Sequence, residues 1–456
     1  MKRKIIYLIS LQLILNCISL YAQHWTKLGN GIDGYGVQCM YADTTDNKLL
    51  VGGGMTQVDG NTAYSFARWD GTNWDISMQN PWGGSAPNTT SVIKYNNDIY
   101  IGGGGLANSA LRKWTGTAWQ HINTGTGSSA VACLAIINNE LYVGGGFDTI
   151  SGVAAWNLVK WDGSVWSSLN FPYSDASIYS IAYFNGELYV GGNFYNHVTP
   201  NDSTKNIMRY DGINWKSVGV GIYGSMDEIE TMVIYNNELY VAGMFTKAHG
   251  NTGNYIQKWD GTQWSDVGGG VIGFGGIGNG TIRQLLVHNG KLYAVGVFQF
   301  AGGIPAQHIA IWDGTNWCGL GSTFDNNIGA IAFLNDTMYV GGNFWTIDGD
   351  SINDMAKWTG GSYIDTCGNM TGVNEIVKKE NNINVFPNPI DGAFTISYGT
   401  LQPAIYIYNS LGKLIYKKEK AKQGSEVIDL SAYSKGIYFI KMQCAEKSWN
   451  KKIIIE

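Results

Sequence analysis

Asn185-Gly186-Glu187-Leu188-Tyr189-Val190-Gly191-Gly192-Asn193-Phe194, followed by Arg209-Tyr210-Asp211-Gly212-Ile213-Asn214-Trp215, decides how this chain folds. The Asn-Gly pair is hairpin-turn chemistry, because both residues tolerate a positive φ. The apolar residues after it read as a buried strand, and Asp-Gly marks a second tight turn between two aromatic-bearing segments. The unit recurs. Its Gly-Gly strand returns at Val51, Ile101, Val143, Val190, Val241, Val340 and, more weakly, Val295. Its first aromatic returns at Trp69, Trp114, Trp161, Tyr210, Trp259, Trp312 and Trp358, in steps of 45 to 53 residues. A second aromatic follows at Trp74, Trp119, Trp166, Trp215, Trp264, Trp317 and Tyr363.

A period of ~50 residues built from short strands predicts the blades of a propeller. The expected class is all-β: a seven-bladed β-propeller closed by an N-terminal strand, plus a small C-terminal β-sandwich. The closing strand is Trp25-Thr26-Lys27-Leu28-Gly29, which matches the end of a repeat and would stand in for the degenerate Tyr363. Pairing the beginning of the chain with its end would remove an exposed sheet edge. The Gly-Gly strands with their paired aromatics resemble the kelch class of propellers over residues 25–365. That resemblance implies a fold and says little of function, since such propellers include binding proteins and enzymes.

Composition agrees. Glycine accounts for 62 of 456 residues and charged residues for only 14%, which suits turns and strands over helices. The net charge of −5 is unevenly spread. Residues 23–373 carry 15 Lys and Arg against 27 Asp and Glu, while residues 374–456 carry 12 Lys against 8 acids. An acidic central region without a basic stripe excludes nucleic acid as an expected partner.

The two ends read as addresses. Lys2-Arg3-Lys4, an apolar run and Ala22 form a secretory signal, so residues 1–22 are expected to be cleaved, leaving no transmembrane segment. Residues 23–367 are the expected propeller and 368–382 a linker. Residues 383–456 contain Val385-Phe386-Pro387-Asn388-Pro389, then Tyr408-Asn409-Ser410-Leu411-Gly412-Lys413, Lys435-Gly436-Ile437-Tyr438 and Lys451-Lys452-Ile453. This segment closely resembles the C-terminal sorting domain of the Bacteroidetes type IX secretion system. The resemblance implies Pro387, Asn388, Pro389, Gly412, Gly436, Lys451 and Lys452 as the sorting signal. It also implies the type IX machinery as partner and a secreted or surface-attached final location.

Strand alternation places the Asn-Gly and Asp-Gly turns on one face of the expected propeller and the long, variable loops on the other. Recognition sits on such loops. Trp82, Tyr173, Tyr195 and Trp345 are the aromatic contact candidates there, suited to a glycan ring or an extracellular protein. Asp348, Asp350 and Asp354 are what a calcium ion would use, although their spacing departs from an EF-hand and no cofactor is expected. No catalytic residue is assigned, because no nucleophile elbow, phosphate loop or zinc motif is present. The sequence therefore points to a secreted or cell-surface binding module. An extracellular polysaccharide hydrolase or lyase and a structural surface protein are the alternatives. Cys39 and Cys133 read as small core residues of inner strands, and Cys318 and Cys367 as a candidate disulfide.

Overall fold

The computed structural model describes residues 25–83, 88–104, 110–124, 130–194, 204–223, 228–247, 251–274, 280–359, 384–386, 392–399, 402–409, 412–444 and 447–455. The chain divides into two units, residues 1–370 and 371–456. The expected signal, the linker, Tyr195, Cys367 and the Pro387-Asn388-Pro389 motif lie outside the described residues.

The described residues of the first unit form six four-stranded antiparallel sheets and one five-stranded sheet, besides small hairpins. The sheet of Ser177–Phe184, Glu187–Asn193, Ile207–Tyr210 and Trp215–Ser217 shows the plan. Its first hairpin turns at Asn185 and Gly186, with φ of 50° and 84°, which right-twisted strands require of a two-residue turn. In the second tight turn the Asp211 carboxylate accepts the backbone N–H groups of Ile213 and Asn214 at 2.8 and 2.7 Å. Asp70, Asp162, Asp260 and Asp313 do the same in their sheets, so the repeated aspartates are turn formers.

The tryptophans join one sheet to the next. Within a sheet the two repeat aromatics pair at centroid distances near 5 Å, as Trp259 and Trp264 do at 5.1 Å. The second one then donates its indole N–H to the sheet before it. Trp119 reaches the Met78 carbonyl at 2.7 Å, Trp215 reaches Leu169 at 2.9 Å and Trp317 reaches Val267 at 2.8 Å. Trp25 takes this role against Trp358, with ring centroids 4.9 Å apart, in a strand Trp25–Lys27 that pairs with Met355–Trp358.

The expected closed seven-bladed propeller is corrected by the strand pairing. Every ladder runs within one open sheet, and no sheet closes on itself or curls. Trp25–Lys27 is the outer edge of the open sheet that also holds Met355–Trp358, Thr337–Gly342 and Ile328–Leu334. The result is propeller-like: separate twisted sheets that stack on one another through side chains. Ladder pairing stays within each sheet, isolated backbone contacts such as the Ile32 N–H to the Asn353 carbonyl at 3.1 Å join sheets, and the Trp and Gly positions are where one sheet meets the next. The innermost strand of each sheet packs on those of its neighbours, and Val37 and Met40 of the first sheet share a buried cluster with Ala330 and Ala332 of the last.

The second unit has a three-stranded sheet (Asn384–Phe386, Ala393–Gly399, Gly424–Asp429) and a four-stranded one (Leu414–Lys418, Ala404–Asn409, Gly436–Cys444, Lys447–Ile455). Phe394, Ile396, Ile405, Ile407, Ile440 and Ile453 form one core between them.

Candidate functional site

The innermost strands carry the same irregularity. In each, the register slips by one residue near the start of the strand. The residues left unpaired at this slip are Gln38, Thr90, Ala132, Tyr179, Glu230, Arg283 and Gly329, one in each sheet, and the first sheet carries two further irregularities before Gln38. A β-bulge bends its strand and re-aims one side chain. Here all seven bulge residues line a single cavity of about 710 Å³.

The glycine doublet makes the bulge fit. A Cβ on its second residue would strike the first strand's backbone. At Gly243 it would meet the Glu228 carbonyl, with the Glu230 nitrogen only 2.7 Å away. A Cβ on its first residue would meet the adjacent sheet, as Gly191 does with the Ile229 side chain at 2.6 Å. The residue after the bulge ties neighbouring sheets together. Thr231 accepts the Leu285 N–H at 3.1 Å, and Gln284 accepts that of Ile331 at 2.7 Å. Cys39 and Cys133 do the same, donating to the Thr89 and Ile178 carbonyls at 3.5 and 3.6 Å. Burial raises both thiols, Cys133 to about 12, so they are inert. Cys318 is disulfide-bonded.

The charged part of the cavity spans three successive sheets. Arg283 donates to Glu230 at 2.5 Å. Burial pushes the Glu230 carboxyl up to about 7, opposed by Arg283 and reinforced by Glu228. Burial also raises the Tyr179 phenol, and Glu228 and Glu230 add to that. Among the described residues, Arg283 is the only basic side chain lining the cavity. Tyr179, Glu230 and Arg283 were missed in the sequence. The available signal was that one position varies freely inside an otherwise repeated strand.

The contact candidates fall in different places. Trp82 is buried at 4% exposure, donates to Thr89 Oγ1 at 3.1 Å and lies under the Arg112 guanidinium. Tyr173 is half-buried, stacked on Phe194 and hydrogen-bonded to Thr204. Trp345 is 70% exposed while its backbone is pinned, its N–H donating to Asp325 at 2.9 Å. Tyr35 at 78%, Trp156 and Phe300 are further exposed aromatics at the long-loop end of the sheets, and Tyr35 also lines the cavity.

The three aspartates do not converge. Asp348 accepts the Thr323 N–H at 2.6 Å in a turn, Asp350 is exposed in a short hairpin, and Asp354 is buried. Among the described residues no group of three His, Cys, Asp or Glu could hold a metal ion. In the second unit Gly412 has φ of 78° and Gly436 begins a strand, while Lys451 is exposed on the last one. Lys452 pairs with Phe439 in the same ladder.

Residues 384–456 match the secretion system C-terminal sorting domain family. The sorting domain makes this a secreted or surface-attached protein and the secretion machinery its partner. Among the described residues no helix is long and apolar enough to cross a membrane. An ulvan lyase of Nonlabens ulvanivorans is 24% identical over 142 residues, which cover 29% of this chain. The match spans a quarter of that relative's length (25%).

Among solved structures, the β-propeller domain of Myceliophteria thermophila Cps50 (Swd1) is matched at 11% identity and a TM-score of 0.43, over 74% of this chain and 100% of that one. A Bacteroides thetaiotaomicron structural genomics protein of unknown function is matched at 13% identity and a TM-score of 0.33, over 63% and 72%. A luciferin-regenerating enzyme is matched at 10% identity and a TM-score of 0.33, over 74% and 95%. At these values the likeness speaks to neither ligand nor activity.

Proposed function

We propose that the first unit is a carbohydrate-binding module that works outside the cell, with its long-loop end as the binding face. The observation that supports this most is the convergence of seven bulge residues, differing in chemistry within a repeated frame, on one cavity. A frame that is constant with one variable position per repeat is how a scaffold encodes a binding surface. Exposed aromatic faces beside amide and hydroxyl groups suit a sugar, whose C–H surface lies on the ring while its hydroxyls find polar partners. Trp345, with its backbone fixed, loses little freedom when a ligand covers it.

The test is a glycan array probed with the full chain and with Trp345→Ala. Retention of one glycan class, weakened at least roughly fivefold by the substitution, is the expected result, from the ~1 kcal/mol a stacked ring contributes. Absence of binding to any glycan, with capture of an extracellular protein instead, would overturn it.

A second reading has one specific observation behind it. Glu230, poised near pH 7 beside Arg283 and Tyr179, is what general acid–base chemistry on a polysaccharide would use. Release of shortened or unsaturated sugar fragments by the purified protein would favour a hydrolase or lyase.

A further inference from the structure

We infer that the cavity is a receptor for an amino sugar, whose protonated amine seats between the Glu228 and Glu230 carboxylates. The assignment rests on the carbohydrate reading above and names the sugar's chemistry.

Glu228 begins its strand and Glu230 is the bulge residue two positions on, so the strand delivers both carboxyl groups to the cavity. Among the described residues, one guanidinium lines the cavity with them. Arg283 takes one oxygen of Glu230, and Glu228 and the Tyr179 phenol interact with Glu230 without adding positive charge. Two carboxylates against one cation leave the cavity short of positive charge. Burial is the larger cause of the raised Glu230 carboxyl, and the second carboxylate, Glu228, adds to it. A primary ammonium offers three donors and one charge, which match the acceptors that Arg283 leaves open. A uronic acid would instead add a third negative group, and a neutral sugar would leave the shortage as it is.

Charge linkage gives the inference a direction. Glu230 is faced by Glu228 on its own strand, by Tyr179 on the preceding sheet and by Arg283 on the following one. Glu187, Glu238 and His288, on strands packed against it, sit at the opposite, turn end of those strands. When the ammonium arrives, the Glu230 O–H gives its proton to solvent, and the carboxylate pairs with the amine. Affinity then rises with pH below the Glu230 value of about 7.

The experiment is calorimetric titration of the full chain with a glucosamine oligosaccharide, its N-acetylated counterpart and a galacturonic acid oligosaccharide. The amine form should bind best, and its affinity should rise roughly tenfold from about pH 5 to about pH 6.5, below the amine's own ionisation. Glu228→Gln should weaken it at least roughly tenfold at an unchanged melting temperature, the loss of one charge-assisted hydrogen bond. Glu230→Gln should abolish the pH dependence. Equal or tighter binding of the N-acetylated or galacturonic form, an affinity that falls as pH rises, or no binding of any of the three would overturn the inference. In each of those cases Trp345-dependent retention on the array would leave the carbohydrate reading standing.

Discussion

Asp354 shows how much one atom decides in a repeated frame. It has φ of 63°, and its N–H donates to the Phe344 carbonyl at 2.7 Å, closing the loop before the third strand. Asn157 and Asn206 hold the same place in other sheets, with φ of 70° and 62°. Their side-chain amides donate to link carbonyls, Asn157 to Tyr173 at 2.8 Å and Asn206 to Ile222 at 3.1 Å. An ionised Asp354 has no donor to give, and one of its oxygens is buried without a partner. Burial, with Asp33 and Asp325 nearby, raises this carboxyl to about 7. A carboxyl whose folded value lies above its unfolded one costs nothing while protonated in both states. It costs stability increasingly as pH rises from about 4 towards 7. Asp354→Asn supplies the missing donor. Thermal unfolding at pH 8 should show a gain of about 1–3 kcal/mol, shrinking towards zero near pH 4. A loss at pH 8 would show that the carboxylate has a partner there.

At the scale of the element, the bulged inner strand and its glycine pair aim side chains into the cavity. Gly243→Ala forces a Cβ onto the Glu228 carbonyl, so the bulge that aims Glu230 must shift. Overpacking of this kind costs about 1–3 kcal/mol, and urea unfolding should show it. Titration of Glu230, followed by carboxyl NMR, should return towards the ordinary carboxylate range as the side chain leaves its buried position. The turns and the paired aromatics were legible in the sequence, because Asn-Gly, Asp-Gly and Trp each answer a local demand. The bulge was not. It is a slip between two strands, visible only once Ile229 and Thr231 are seen to flank an unpaired Glu230. The two glycines of a doublet serve different neighbours: a Cβ at Gly191 would meet Ile229 of the next sheet, and one at Gly192 the carbonyl of Ser177 in its own sheet. Trp82 and Trp345 looked alike as loop tryptophans. Burial separates them, and burial depends on neighbours such as Thr89 and Arg112 that no local pattern brings together.

At the scale of the whole molecule, the chain joins a propeller-like unit, for which we propose a binding role, to a sorting domain. Removing residues 384–456 should leave the remainder inside the cell envelope of its host, detected by fractionation, whereas unchanged export would contradict the role of the sorting domain. The acidic central region fits the same picture. The proposed ligand is cationic, and the cavity where the sheets meet is lined by two glutamates and, among the described residues, one arginine. The ring of pairing expected from the repeats resolves into open sheets held by side chains, so what the sheets share is the cavity between their inner strands.

That cavity is the centre of the account, and two tyrosines on one strand test it most directly. Tyr179 is the bulge residue and lines the cavity, while Tyr183, at the turn end of the same strand, is 43% exposed and outside the lining. Affinity for the retained glycan should be measured for Tyr179→Ala and Tyr183→Ala at matched stability. Deleting a ring contact and its hydroxyl bond costs about 1.4 kcal/mol or more, so Tyr179→Ala should weaken binding at least roughly tenfold. Tyr183→Ala should leave binding within roughly twofold. Equal effects, or a larger loss from Tyr183→Ala, would contradict the account.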